Sequence, residues 1–453
     1  MKSAKLGKLW DSLHSSFWFV PTLMLVLAIG LSFITIRIDQ SAETNIIEKL
    51  GWAYSLGPSG SRAILSAIAG SMMSVATTAF SITIVALQLA SSQFGPRLLR
   101  NFMRDTGNQV VLGTFIATFV YSLMVLRTIN GVEENEFVPH LAVTVGIGLA
   151  IASIGVLIYF IHHSAASIQV DRVIKKVGDD LDKTIDRLFP DRIGRSASKQ
   201  LEEESLAAIP TDFDRLSRAI AARESGYIQA IDDNRLMQIA IDRNLLLRVE
   251  QRPGRFVVKG SQLMRVFPEE KIDRKLAAKI ADTVVLGIGR TEQQDLEFSI
   301  DQLVEIAARA LSPGINDPFT AIRCIDQLSV ALCHFAQREI PSPYRYDDRH
   351  RLRVIAEPLE FADAIDAAFN QIRQYGQSSV AVTMRLLEAI ATIAPFTHRE
   401  LDRTALQRHA DAVERGSQNG IEEELDLQDV RERYLAALKA IDSNRLLDRD
   451  ERS

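Results

Sequence analysis

Five polar residues recur in an otherwise apolar, uncharged run. Ser71, Ser74, Thr78, Ser81 and Gln88 lie within Ala63–Ala90, at spacings of three, four, three and seven. That spacing puts them on one face of a helix. Val85 interrupts the stripe and Ser92 extends it. A polar face of this kind has two uses in a membrane. Small polar side chains let helices approach closely and bond across the contact, and Gly70 and Ser74, four apart, suit that use. The same face can instead line a wet path where several copies meet. The sequence leaves both open. Arg97, Arg100 and Arg104 follow the run. They anchor its orientation and, at a pore mouth, would draw anions.

A second polar group lies far along the chain, in Arg309–Ala321, "RALSPGINDPFTA". Pro313-Gly314 breaks a helical pattern, Asn316 and Asp317 are N-cap types, and Pro318 suits a first helical turn. Capping accounts for most of these residues. Arg309, Ser312, Asn316 and Asp317 could also converge on a ligand, joined by Arg290, Thr291, Gln294 and Asp295.

Other chemistry-bearing types form no recognisable site. "GIG" at Gly287–Gly289 lacks the third glycine and the strand–turn–helix context of a dinucleotide fingerprint. His162 and His163 are adjacent, so they cannot share a helix face as a metal pair; an interfacial position suits them. His334 and His398 stand apart from other ligand types. Cys324 and Cys333 fall in a helical pattern and read as buried free thiols, which suits a reducing compartment. Lys259, in "RPGRFVVKG", does not occupy the exposed turn that a lipoyl or biotinyl lysine needs, so a structural module is expected there. No metal pattern, nucleophile elbow or phosphate loop is present, and neither an enzyme nor a cofactor carrier is expected. The formal net charge of -5 argues against a nucleic-acid partner.

The elements that position the first stripe are four apolar runs: Phe17–Ile36, Ala63–Ala90, Val110–Ile129 and Val138–Ile161. Each is long enough for a hydrocarbon core of about 30 Å. The first has no small-residue cleavage site before Arg37, so it reads as a retained helix. The second, extended to Phe94, would be roughly 48 Å long as a helix, and Gly95-Pro96 would stop or kink it. Lys2, Lys5 and Lys8 precede the first run, and Arg172, Lys175 and Lys176 follow the fourth. Glu133, Glu134 and Glu136 occupy the loop between the third and fourth. This bias predicts both termini in the cytoplasm.

The expected fold is an α-helical membrane domain of four transmembrane helices over 1–163, followed by a mostly helical α+β cytoplasmic domain with a small β-rich unit. Residues 164–210 read as an amphipathic helix and linker. The helix carries the stripe Val170, Val173, Ile174, Val177, Leu181, Ile185, Leu188, which could continue the fourth span or pack against copies of itself. Residues 211–268 hold short strands punctuated by Pro-Gly and Gly, and 269–453 are mainly helical. Helical patterns cover Leu276–Val285, Phe298–Leu311, Phe319–Phe335, Phe361–Ile372, Val380–Ile393 and Val430–Leu447. Arg351–Ala356 reads as a further strand, and Gly416–Gly420 as a break before the last helix. The amphipathic faces need a common core, so a fragment from about Pro210 should fold alone.

The stretch Thr77–Asp105, "TTAFSITIVALQLASSQFGPRLLRNFMRD", resembles the signature of a bacterial family of predicted membrane proteins, domain of unknown function 2254. "SGYIQAID", "RPGRFVVKG", "GRTEQQDLEF" and "RALSPGINDPFTA" resemble its other motifs, in the same order and across nearly the whole chain. The resemblance implies a bacterial inner-membrane protein and supplies no activity or catalytic residue.

Two functions are expected to compete. One is a homo-oligomeric channel or transporter with the soluble domain as gate or vestibule. The other is a membrane-anchored sensor or scaffold whose soluble domain binds a partner.

Overall fold

The computed structural model describes residues 18–41, 57–95, 105–130, 137–167, 169–189 and 208–450. They belong to two compact units, residues 1–172 and 173–453.

The first unit holds α1 (Phe19–Ser41), α2 (Pro58–Phe94), α3 (Thr106–Thr128) and α4 (His140–Ser167). All four are long and apolar enough to cross a membrane. Their sequences bury no formal charge mid-helix, and their ends carry the punctuation. Pro58 occupies the first turn of α2, and Gly95 ends that helix at φ 103, a conformation that favours glycine. Asp105 caps α3 by accepting from the Gly107 N–H at 2.8 Å. α3 is the central helix, packed against each of the other three. Phe115, Tyr121 and Val125 are wholly buried on it. Leu27, Phe33, Ile151, Ile154 and Ile158 are exposed on α1 and α4, an apolar exterior that suits lipid rather than water.

The second unit opens within α5 (Val170–Leu188), from Val173 on, and the apolar stripe of this helix is consumed within the fold. Leu181 and Ile185 meet Leu296, Ile300, Leu328 and Phe335, and Val173, Ile174 and Val177 are buried too. The stripe therefore serves its own chain, not copies of itself. α4 ends at Ser167 and α5 begins at Val170, so the two are separate helices.

Next come a short α6 (Phe213–Leu216), β1 (Arg218–Ala221), β2 (Gly226–Ile231), α7 (Asp233–Arg243), β3 (Leu246–Val249), β4 (Phe256–Val257) and β5 (Gln262–Phe267). α8 (Arg274–Ala281), β6 (Val284–Gly287), β7 (Tyr344–Tyr346) and β8 (Leu352–Ala356) complete two sheets. One has the order β1-β5-β3-β8-β7, the other β4-β2-β6. Only the β3–β8 pairing is parallel. The strands thus extend well past residue 268, because Val354 and Val284 share one core with Leu247, Val266, Ile228 and Ile280. The helix expected through Val285 stops at Ala281. Asp282 and Thr283 turn the chain, and the β-branched Val284 and Val285 open β6.

The helical remainder comprises α9 (Leu296–Ala310), α10 (Pro318–Ala336), α11 (Phe361–Gly376), α12 (Val380–Ile393), α13 (Glu400–Gly420) and α14 (Glu424–Asp450). α13 has no counterpart among the expected helices and runs through the glycines read as a break. Its buried face includes Asp402, Arg403 and His409 beside Leu406 and Val413, so its apolar period is thin. Gly420 is needed there: a Cβ would lie 2.5 Å from the Gln377 carbonyl oxygen.

Candidate functional site

α2 has two unlike faces. Ser61, Leu65, Ala69, Met72, Ala76, Ala79, Thr83 and Ala90 are buried, a row of mostly small side chains that brings α2 close to α3. Ser71, Ser74, Thr78, Ser81 and Gln88 are all exposed on the other side. The stripe therefore does not pack against the remaining helices of its own chain. Each hydroxyl donates back to a carbonyl of its own helix. Ser71 reaches Ile68 O at 3.0 Å, Ser74 reaches Gly70 O at 3.1 Å, Thr78 reaches Ser74 O at 3.0 Å and Ser81 reaches Thr77 O at 2.9 Å. Thr77 and Ser92 do the same. These bonds satisfy the donors and leave oxygen lone pairs facing outward. Arg97, Arg100 and Arg104 lie outside the described residues.

Several other hydroxyls of this unit, such as Thr83, Ser122 and Thr144, also donate back to their own helix, but a few polar side chains bond across helices. Asp39 of α1 accepts from the Leu141 and Ala142 N–H groups at 3.0 and 2.9 Å, capping α4 from another helix. The Tyr121 hydroxyl donates to Ala142 O at 3.0 Å and lies 3.0 Å from the Thr35 hydroxyl. Thr118 and Ser153 meet at 3.2 Å. Arg62 donates to Ile129 O at 2.8 Å.

At the far end of α4, His163 Nε2 lies 3.0 Å from both carboxylate oxygens of Asp105. Tyr159 stacks on the imidazole with centroids 5.2 Å apart. A Cβ at Gly107 would come within 2.9 Å of His163 Nε2, so this clasp needs glycine. His162 is exposed. The sequence carried no signal for these cross-helix bonds, because the partners are 21 to 103 residues apart.

In the second unit the polar residues expected to converge form two groups at opposite ends of α9. Arg290 donates from Nε and Nη2 to Asp295 at 2.7 and 2.8 Å, and from Nη1 to Asp301 at 2.7 Å. Asp295 also caps α9 through the Phe298 N–H at 3.1 Å. Gln294 bonds both the N–H and the carbonyl of Ile231, at 2.8 and 3.1 Å, as a neighbouring strand would. Thr291 donates to Gln229 O at 3.2 Å. Gly254, at φ +90, lies so close to the Asp295 carboxylate that a Cβ would be 2.2 Å from Oδ2.

At the other end, Arg309 pairs with Glu305 at 3.3 Å and Ser312 donates to Arg309 O at 2.6 Å. Asn316 turns the chain at φ 51. Asp317 caps α10, accepting from the Thr320 N–H at 3.1 Å and the Thr320 hydroxyl at 2.5 Å. Fourteen residues of helical rise, about 21 Å, separate Asp295 from Arg309, so the two groups cannot share a small ligand.

Glu297 is the one acidic side chain of the first group without a close partner. Arg290 and Arg255 stand 3.8 and 3.9 Å away, beyond hydrogen-bonding distance. Burial pushes its carboxyl up, against the pull of Arg255, Arg252 and Arg290. Perturbed carboxyls of this kind mark functional sites and structural clusters alike.

A groove of about 500 Å3 between α10 and α12 is lined by Asp326, Ser329, Cys333, His334, Arg385 and Phe396, among others. Arg385 already bonds Asp326 and Glu388, at 2.6 and 3.0 Å. His334 reaches Asp182 and Asp186 of α5, at 3.4 and 3.1 Å. Burial pushes the Cys333 thiol up to about 11.

The sequence model of a family described as predicted membrane protein, DUF2254, matches residues 14–392. The chain belongs to this family. Two mycobacterial relatives are similar along most of its length. They are Uncharacterized protein Rv1290c of Mycobacterium tuberculosis and Uncharacterized protein Mb1321c of Mycobacterium bovis. Each is 32% identical over 421 residues, which is 92% of this chain and 79% of the relative. No solved structure gives a significant match.

Within this DUF2254 chain, three of the motif segments meet. Ser225–Asp232 supplies β2, Arg252–Gly260 the turn that carries Gly254, and Gly289–Phe298 the loop into α9. Arg309–Ala321 sits at the other end of that helix. The DUF2254 match stops at residue 392, before α13 and α14.

Proposed function

We propose that this protein assembles as a homo-oligomer in the bacterial inner membrane and that α2 lines a hydrated path at its axis, with the soluble unit acting as gate or vestibule. The reading is a channel or transporter. No catalytic role or cofactor belongs to it. The Lys/Arg bias supports a cytoplasmic N-terminus and a cytoplasmic soluble unit.

One observation carries the proposal. The polar face of α2 points away from its own chain, whereas Asp39, Thr118, Tyr121 and Ser153 find partners on neighbouring helices inside the unit. Gln88 is exposed on that face, and a primary amide in lipid loses water without gaining partners. Contact with other copies, or with water between them, resolves this. No acidic or basic residue lies in Ala63–Phe94, past Arg62 at the start of α2, so a charged filter within that run is not expected. Selectivity would then fall to Arg97, Arg100 and Arg104.

Reconstituted vesicles test this. Leucine at Thr78 and Ser81 should reduce ion or small-solute flux while the oligomer stays intact. Wild-type vesicles no leakier than empty ones would defeat the proposal. Loss of the oligomer on leucine substitution would assign the stripe to packing between copies.

The second reading, a membrane-anchored scaffold, draws on Ile315 and Phe319. Ile315 is exposed in the loop before α10 and Phe319 in its first turn, and capping gives neither a role. Flux-silent vesicles together with capture of a partner lost on Phe319→Ser would favour it.

A further inference from the structure

His409 is the most deeply buried histidine among the described residues, with 2% of its surface exposed. It lies on α13 and faces α11. Its Nε2 is 2.7 Å from Asp366 Oδ1, so in the neutral ring Nε2–H donates and Nδ1 carries the lone pair. Nδ1 has no hydrogen-bond partner among the described residues. Phe369, three residues beyond Asp366, meets the ring edge-on at 6.1 Å.

The charged groups acting on the imidazole are Asp366 and Arg373 of α11 and Arg408 of its own helix. Arg408 also bonds Asp366, at 2.5 Å. Arg373 Nε is itself buried without a partner. On the α14 side the charges are engaged elsewhere along α13: Arg431 pairs with Glu414 and Tyr434 donates to Asp411.

We propose that His409 is an acid-responsive pin: proton uptake at its orphan Nδ1 loosens α13 from α11. The proton comes from solvent and creates a buried N–H with no acceptor, beside two guanidiniums. A buried, unpaired donor is costly, and so is like charge in a low-dielectric site. Burial is the largest influence and holds the imidazole below its ordinary value; Asp366 opposes it, and Arg408 and Arg373 reinforce it.

The sign follows. A histidine whose folded value is depressed contributes stability that is complete above the unfolded value, about 6.5, and is lost as pH falls through the folded value. The contact between α11 and α13 should therefore be firm at neutral pH and weaken in mild acid. This holds whether or not α2 lines a pore.

Amide exchange of the full chain in detergent, corrected for intrinsic pH dependence, tests the pin. Between pH 7.5 and 5.5 the α13 amides of the wild type should lose protection severalfold. His409→Gln keeps a donor for Asp366 but cannot titrate, and its α13 should lose no extra protection in acid. Arg373→Gln removes one opposing charge, so the acid-induced loss should shrink without vanishing. Should His409→Gln fail to fold, the Arg373→Gln comparison decides alone. An acid loss identical in wild type and Arg373→Gln, or one that persists in His409→Gln, overturns the proposal, as does a wild type with no acid loss.

Discussion

Asp347 and Arg353 form a closely enclosed ion pair in the second unit, each with 4% of its side chain exposed and 2.9 Å apart. The Asp347 carboxylate also accepts from the Arg349 and Arg351 N–H groups, both at 2.9 Å. The Arg351 N–H leads the influences that pull its carboxyl down to about 2, over the opposing effect of burial. A depressed acid stabilises the fold above its unfolded value, near 4, and the benefit is lost as pH falls toward 2. Asp347→Asn should therefore lower the melting temperature of the full chain at pH 7, and the difference should close in strong acid. Glu297 runs the other way. Its raised value means the ionised form costs stability at neutral pH, a cost that disappears as pH falls below the unfolded value. Glu297→Gln should raise the melting temperature at pH 7 and leave it unchanged near pH 4. At this scale the sequence spoke where partners are neighbours. The Asp317 cap was legible from its spacing, and Asp317→Ala should cost about 1 kcal/mol, or roughly 2–4 °C. The burial of Glu297 and the Asp105–His163 clasp were not legible, since neither burial among distant segments nor a partner 58 residues away leaves a local mark.

Among elements, α5 is the most consequential for the second unit. Its stripe was visible by period, but its destination was not, because a helical face says that it is buried and not against what. The structure lays Leu181 and Ile185 on α9 and α10, and Gly178 lies so near Gln327 that a Cβ would be 2.5 Å from Oε1. A fragment from Pro210 would leave Leu296, Ile300, Leu328 and Phe335 uncovered. That fragment should aggregate or melt early, whereas one from Val173 should be soluble and unfold cooperatively. Circular dichroism melts of the two fragments check this, and equal stability would contradict the packing. Leu181→Ala, at 1% exposure, should cost about 2–5 kcal/mol. α13 escaped the sequence because Asp402, Arg403 and His409 occupy its buried face. β8 was legible as a strand, yet its parallel pairing with β3 joins residues about a hundred positions apart and leaves no local mark.

For the whole molecule, hydropathy fixed the most. Four long apolar runs can only be spans or an improbably large core, and the exposed Ile151, Ile154 and Ile158 exclude the core. The polar stripe of α2 was equally plain, but its direction was not, since a period defines a face and not the neighbour it meets. The structure turns that face outward from its chain, and this makes the hydrated path the central claim. Thiol accessibility tests it most directly. With Cys324 and Cys333 replaced, single cysteines at Ser74, Thr78 and Ser81 are exposed to a small, charged, water-soluble thiol reagent in intact membranes. Labelling at all three positions, with none at a control cysteine replacing lipid-facing Ile154, is the predicted result; an unreactive stripe in an intact oligomer would contradict it.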